Sequence, residues 1–237
     1  MDLTREQKIL LNNFAQRSFR DIADQDYLTA RLCFRNNLMF QFLWMSQQSI
    51  EKYIKGILLF NQVPVLDINH NLIKGLEKIK NIPYLDLDLS EKTLEFIIYV
   101  NDQGPNRYFQ KVMYTRGFEL ITLDRAVWEL RRFCRTINYD IKTPSGKTIN
   151  MLELESKVIS NSRNHPAHKH SLFDGYLEKR IRDNKYNQGD ILIWKNFFFG
   201  KIKKNTIKMG RSVAWSSPTH FSHPESQEFL SKFVKLK

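Results

Sequence analysis

The chain has 237 residues and a mass of 28.3 kDa, with 42% apolar residues, 26% charged residues and a formal net charge of +12. That length can bury a full hydrophobic core, and the near-average composition excludes collagen-like, disordered and disulfide-scaffold classes. The charge is uneven: residues 1–140 hold 19 Lys and Arg against 17 Asp and Glu, whereas residues 141–237 hold 18 against 8.

Residues 1–140 read as helices. Thr4 with Gln7 forms a capping box ahead of Ile9, Leu10 and Phe14. Ser18 with Asp21 signals a second start, after which Phe19, Ala23, Tyr27, Ala30 and Phe34 recur at spacings of three and four. Residues 38–60 continue the helical period through Phe42, Met45, Ile50, Tyr53, Ile54, Ile57 and Leu58. Asn69 is placed to cap a short helix with Leu72, Ile73 and Leu76, and Ser90 to cap one with Leu94, Ile97 and Ile98. Residues 101–105 form a loop, and residues 120–137 the last long helix. Helices with short connections predict an up-and-down bundle.

After Tyr139 the pattern changes. Residues 141–149 alternate around Pro144-Ser145-Gly146 and predict a hairpin. Gly146-Lys147-Thr148 is no phosphate-binding loop, because the first glycine of that motif would fall on Ile141. Asn150 with Glu153 predicts a helix to about Ser160, and Ser171 with Asp174 one carrying Phe173, Tyr176, Leu177 and Ile181. Residues 190–194 and 197–199 read as strands, with residues 202–209 as a partner. Pro224 opens a final helix that packs Phe229, Phe233 and Val234. The division is therefore a bundle over 1–140 and a basic α+β extension over 141–237.

Several residues in the bundle carry a more specific pattern: Asp26-Tyr27, Ala30-Arg31, the run Gln48-Ser49-Ile50-Glu51-Lys52-Tyr53-Ile54-Lys55-Gly56, then His70-Asn71-Leu72 with Leu76, and Asn106-Arg107-Tyr108. In order and spacing they resemble a HEPN domain, from about residue 20 to 140. The resemblance implies a mainly α protein and a setting in prokaryotic defence or a toxin–antitoxin system. It also implies a homodimer, with an antitoxin or a nucleotidyltransferase as a further partner. Gln48, Lys52 and Lys55 share one helix face, opposite Ile50, Tyr53, Ile54 and Ile57. That polar face is either a solvated surface or, as the resemblance implies, an electropositive or dimer-forming one.

HEPN ribonucleases carry an arginine followed four to six residues later by a histidine, and the resemblance implies metal-independent RNA cleavage between two protomers. Residues 20–140 lack that spacing. It occurs outside them, in Arg163-Asn164-His165-Pro166-Ala167-His168. Arg163 is the candidate for stabilising phosphoryl charge and His168 for moving protons at the 2′-hydroxyl or the leaving oxygen. The competing reading is a polar loop before the next helix, since Pro166 would interrupt an established one.

Lys195, Lys201, Lys203, Lys204, Lys208 and Arg211 lie in a stretch without an acidic residue and are interleaved with Trp194, Phe197, Phe198 and Phe199. Lysines beside aromatics suit RNA or other nucleic acid, although at least one face of such a strand belongs to the core. Enhanced solubility is the alternative meaning of the charge. The histidine clusters His165, His168, His170 and His220, His223 leave a zinc-dependent enzyme as a third reading, behind nucleic-acid binding and a non-catalytic module for a nucleotide or protein. No metal or other cofactor is expected. Cys33 and Cys134 read as reduced core residues, and the charged N-terminus and short apolar runs predict a cytoplasmic chain with no membrane span.

Overall fold

The computed structural model describes residues 3–106, 109, 111–162, 171–183, 187–200, 212–217 and 224–233. The described chain is mainly helical. Thr4 and Gln7 make the expected capping box on α1 (Arg5–Phe14). The signal at Ser18 does not start a new helix. Instead the chain runs through a π-helical segment (Ala15–Arg20) directly into α2 (Asp21–Arg35). No Gly or Pro separates the two periods, so the wider turn alone changes the buried face. Ile9, Leu10 and Phe14 stay exposed, whereas Ala23, Tyr27 and Ala30 are buried.

Helix α3 (Met39–Phe60) is the central element and buries Ile50, Tyr53, Ile54, Ile57 and Leu58. Helix α4 (Leu72–Lys80) is capped by Asn71, not Asn69. The Asn71 side chain accepts from the Lys74 N–H at 3.1 Å, while Asn69 takes a left-handed φ of 51° in the preceding turn. Ser90 caps α5 (Glu91–Gln103) as expected. Helix α6 (Glu119–Arg131) ends before residue 137, and the core continues through the buried Phe133, Cys134 and Ile137 beyond its end.

The extension begins with the expected hairpin, β2 (Asp140–Lys142) against β3 (Thr148–Asn150), turning at Gly146 with φ 82°. It continues through α7 (Leu152–Ser162), α8 (Tyr176–Asp183), α9 (Gln188–Ile193) and α10 (Pro224–Ser231). A second antiparallel pair joins β1 (Met113–Thr115) to β4 (Val213–Trp215), tying the extension to the loop before α6.

Four expectations in the extension are corrected. Residues 190–194 form the end of a short helix, not a strand. A brief apolar run suits either structure, and here buried arginine donors take up carbonyls at the helix end. Phe197–Phe199 is a turn. The Asn196 side-chain oxygen accepts from the N–H groups of Phe198 and Phe199, at 2.9 and 3.1 Å, which replaces a strand partner. Helix α8 starts at Tyr176 and not at Ser171, because Asp174 is left-handed and Phe173 points out, 97% exposed. On α10, Phe229 and Phe233 are exposed and stack on each other, at 5.1 Å. Residues 202–209 and Val234 lie outside the described residues.

One hydrophobic cluster spans both parts of the chain. Leu177, Leu192 and Phe199 of the extension are buried in it with Ile57, Val127 and Leu130 of the bundle. Cys134 is buried in the same cluster and Cys33 lies at its edge, both as free thiols.

Candidate nucleic-acid interface

The central helices hold two buried ion pairs in a crossed arrangement. Helix α2 carries Asp24 and, seven residues on, Arg31; α6 carries Asp124 and, seven residues on, Arg131. Two turns on one helix face bring both pairs into register. Arg131 grips Asp24 through Nε at 2.7 Å and Nη2 at 2.8 Å, and Tyr53 adds its hydroxyl at 2.5 Å. Arg31 pairs with Asp124, which also accepts from Tyr27 at 2.7 Å. Burial, joined by the neighbouring carboxylates, pushes both tyrosine hydroxyls well above their ordinary pKa, so they remain protonated donors.

Both arginines have a second task in the extension. Arg131 also makes a bidentate contact to Glu178 of α8, at 2.8 and 2.7 Å. Arg31 donates to the carbonyls of Ile191, at 2.9 Å, and of Trp194. Asn196 donates to the Tyr27 hydroxyl at 2.8 Å, and the Phe199 ring sits 5.9 Å from Tyr27 and 6.4 Å from Trp128. These contacts fix residues 191–200 onto the α2–α6 face.

Burial alone would raise the Glu178 carboxyl, but the Arg131 charge and hydrogen bonds, with the Leu172 N–H, prevail and hold it at about 2 against the ordinary 4.5. A carboxyl depressed on folding contributes stability that is complete above its unfolded value and is lost as pH falls through its folded value. Wild type should therefore exceed Glu178→Gln by about 2–3 kcal/mol at pH 7, with that gap at least halving by about pH 3. Urea melts of both proteins at the two pH values measure it.

The polar residues of the bundle motif are paired as well. Lys52 forms an ion pair with Asp26, and Lys55 contacts Glu51 at 2.6 Å and the Asn69 carbonyl at 2.7 Å. His70 Nδ1 lies 3.0 Å from Glu51. The face carrying Lys52 and Lys55 is thus a clamp between α2, α3 and the turn before α4, with its positive charge neutralised internally.

Of the proposed nucleic-acid residues, Lys195 is described. It is exposed and lies 5.0 Å from the Trp194 ring centroid, and the exposed Arg35 lies 5.5 Å from the same ring. Two cations therefore sit beside one half-buried indole at the start of the basic stretch. Arg163, His168, Lys201, Lys203, Lys204, Lys208 and Arg211 lie outside the described residues, as do His165, His170, His220 and His223. Both flanks of residues 201–211 are described. On one side Phe198 packs under Arg125 of α6, 5.8 Å away. On the other, Ser212 donates to the Thr115 carbonyl at 2.8 Å, where β4 meets β1. Among the described residues no group of three His, Cys, Asp or Glu is placed to hold a metal ion, and no helix is long and apolar enough to cross a membrane.

The sequence reading overlooked Arg35 as a partner for Trp194. The two are remote in the chain and converge where Arg31 ties the end of α9 to α2.

These features define a helical-bundle protein whose core is crossed by two buried arginine–carboxylate pairs. Residues 16–117, somewhat under half of the chain, match the family model of the HEPN domain. The match takes in α2 to α5 and β1; α6, with Asp124 and Arg131, follows it. No curated protein and no solved structure matches the chain.

Proposed function

We propose that this chain binds nucleic acid, RNA foremost, through the basic segment from Lys195 to Arg211, with the HEPN bundle as its scaffold. The HEPN match supports a nucleic-acid-related function at the level of the family. The observation that carries the reading is the separation of charge. The bundle's Lys52, Lys55, Arg31 and Arg131 are committed to internal carboxylates, whereas the stretch from Lys195 has no acidic residue and starts from a root fixed to the core. In this reading a cytoplasmic homodimer of a defence or toxin–antitoxin system pairs Arg163 and His168 across its interface. His168 moves the proton at the 2′-hydroxyl and Arg163 stabilises the phosphoryl charge, without a metal.

Labelled RNA incubated with the protein in chelator should be cleaved, and Arg163→Ala and His168→Ala should each abolish cleavage. No cleavage, or variants as active as the parent, would remove the catalytic assignment. Binding of single-stranded RNA should weaken with salt, and neutralising Lys201, Lys203, Lys204 and Lys208 should reduce the log–log slope by up to about 3. Weak, salt-insensitive binding would favour the second reading, a non-catalytic module for a nucleotide or a protein such as an antitoxin or nucleotidyltransferase. The exposed Ile9, Leu10 and Phe14 on α1 favour a protein partner in that case. Stoichiometric zinc retained after dialysis would point instead to the histidine clusters.

A further inference from the structure

We propose that the groove between α5 and α6 binds a small aromatic oxyanion, meaning a planar ring that carries a carboxylate or phosphate. Helix α5 contributes Lys92, Glu95, Phe96 and Tyr99, spaced so that all four share one face. The start of α6 contributes Phe118, Thr122 and Arg125 at the same spacing, and Arg116 enters from the turn after β1. Together with Glu119 and Ile121 they enclose a cavity of about 360 Å³, at the small end of ligand pockets.

Its walls suit a ring. Phe96 and Tyr99 are buried along the floor, and Phe118, 47% exposed, stands free to stack. Its charges suit an anion. The Glu119 carboxylate is taken up by the backbone N–H groups of Arg116 and Gly117. Among the described lining residues that leaves the Glu95 carboxylate facing Lys92, Arg116 and Arg125, and it forms a long ion pair with Arg116 at 3.8 Å.

The two guanidinium groups are held in place by rings. Arg116 lies 6.0 Å from both the Tyr99 and Tyr114 centroids, and the Tyr99 hydroxyl donates to the Tyr114 carbonyl at 2.5 Å, which fixes that pair. Arg125 stacks on Phe198, and its buried Nε has no hydrogen-bond partner. Among the described residues neither Lys92 nor Arg125 has an acidic partner. A positioned guanidinium without an acidic partner, at Arg125, with Lys92 and Arg116 on the same apolar slot, selects for a ligand that is flat at one end and charged at the other.

The test is calorimetric titration of the full chain with adenosine 5′-monophosphate and with indole-3-acetate, using adenosine and inorganic phosphate as half-ligands. At least one aromatic anion should bind once per chain with a Kd below about 1 mM, and each half-ligand about tenfold more weakly. Preference for the nucleotide or for the carboxylate identifies the source of the ligand, and either supports the site. Phe118→Ala and Arg125→Gln should each weaken binding about fivefold or more, while Arg125→Lys, which keeps the charge but not the stacked guanidinium, should weaken it less than Arg125→Gln. Absence of saturable binding by both probes, or binding unchanged in Phe118→Ala and Arg125→Gln, overturns the proposal. The lysine-neutralised variant used for RNA should bind the aromatic anion as wild type does, so the two readings can fail separately.

Discussion

Replacing Arg131 with methionine is expected to destabilise the protein by about 3–5 kcal/mol, because it strands a carboxylate in the core. Asp24 is fully buried, and Tyr53 would be its remaining hydrogen-bond donor. Glu178 would lose both of its contacts to the guanidinium and keep the Leu172 N–H. For a chain of this size the loss corresponds to a fall in Tm of about 10–15 °C. Removing the charges together should be far milder, because the cost lies in the orphaned ions and not in the missing attraction. The triple variant Asp24→Asn, Arg131→Met, Glu178→Gln should therefore recover much of the loss. Lys157→Ala opens an exposed pair with Glu153 and should shift stability by no more than about 0.5 kcal/mol. Thermal melts of the four proteins decide it. A triple variant no more stable than Arg131→Met would show that the loss comes from the missing guanidinium contacts and not from the orphaned carboxylates.

What could be read in advance was local. The box at Thr4, the cap at Ser90 and the turn at Gly146 are each decided within a few residues, and all three are present. The HEPN pattern was readable for a related reason: its residues make short-range clamps, such as Lys55 with Glu51, that impose fixed spacings. The errors arose where a distant group supplied what the local sequence lacked. Residues 190–194 have the apolar run of a strand, yet Arg31, more than 150 residues earlier, takes up the carbonyls at the end of a helix there. Asn196 folds the backbone of Phe198 and Phe199 into a turn through a side chain that nothing in a strand pattern marks. The recurrence of an Asp and an Arg seven residues apart in both α2 and α6 is visible in the sequence, but each helix alone reads as an ordinary charged face. Its meaning depends on the two helices meeting. Lys92, Arg116 and Arg125 were equally unreadable, since their common feature is a cavity and not a spacing.

The change in charge near residue 140 is a boundary of composition, and the structure leads to a definite expectation about the stability of what precedes it. A chain ending at residue 170 should lose its cooperative unfolding transition, or melt at least about 15 °C lower than the full protein. Leu177 and Leu192 are fully buried and Phe199 nearly so. Side chains of this kind contribute roughly 1.5–3 kcal/mol each, so the three together rival the whole net stability of a typical domain. The truncation would also take Glu178 from Arg131 and two carbonyl acceptors from Arg31, leaving guanidinium donors without partners in an apolar face. Calorimetry of the shortened and full chains separates the outcomes. A shortened chain with an unchanged transition would mean that residues 1–170 fold independently and that the extension is an attached module. Loss of the transition would make the extension part of the folding unit, so that the basic segment from Lys195 is presented from the same core that holds the bundle helices together.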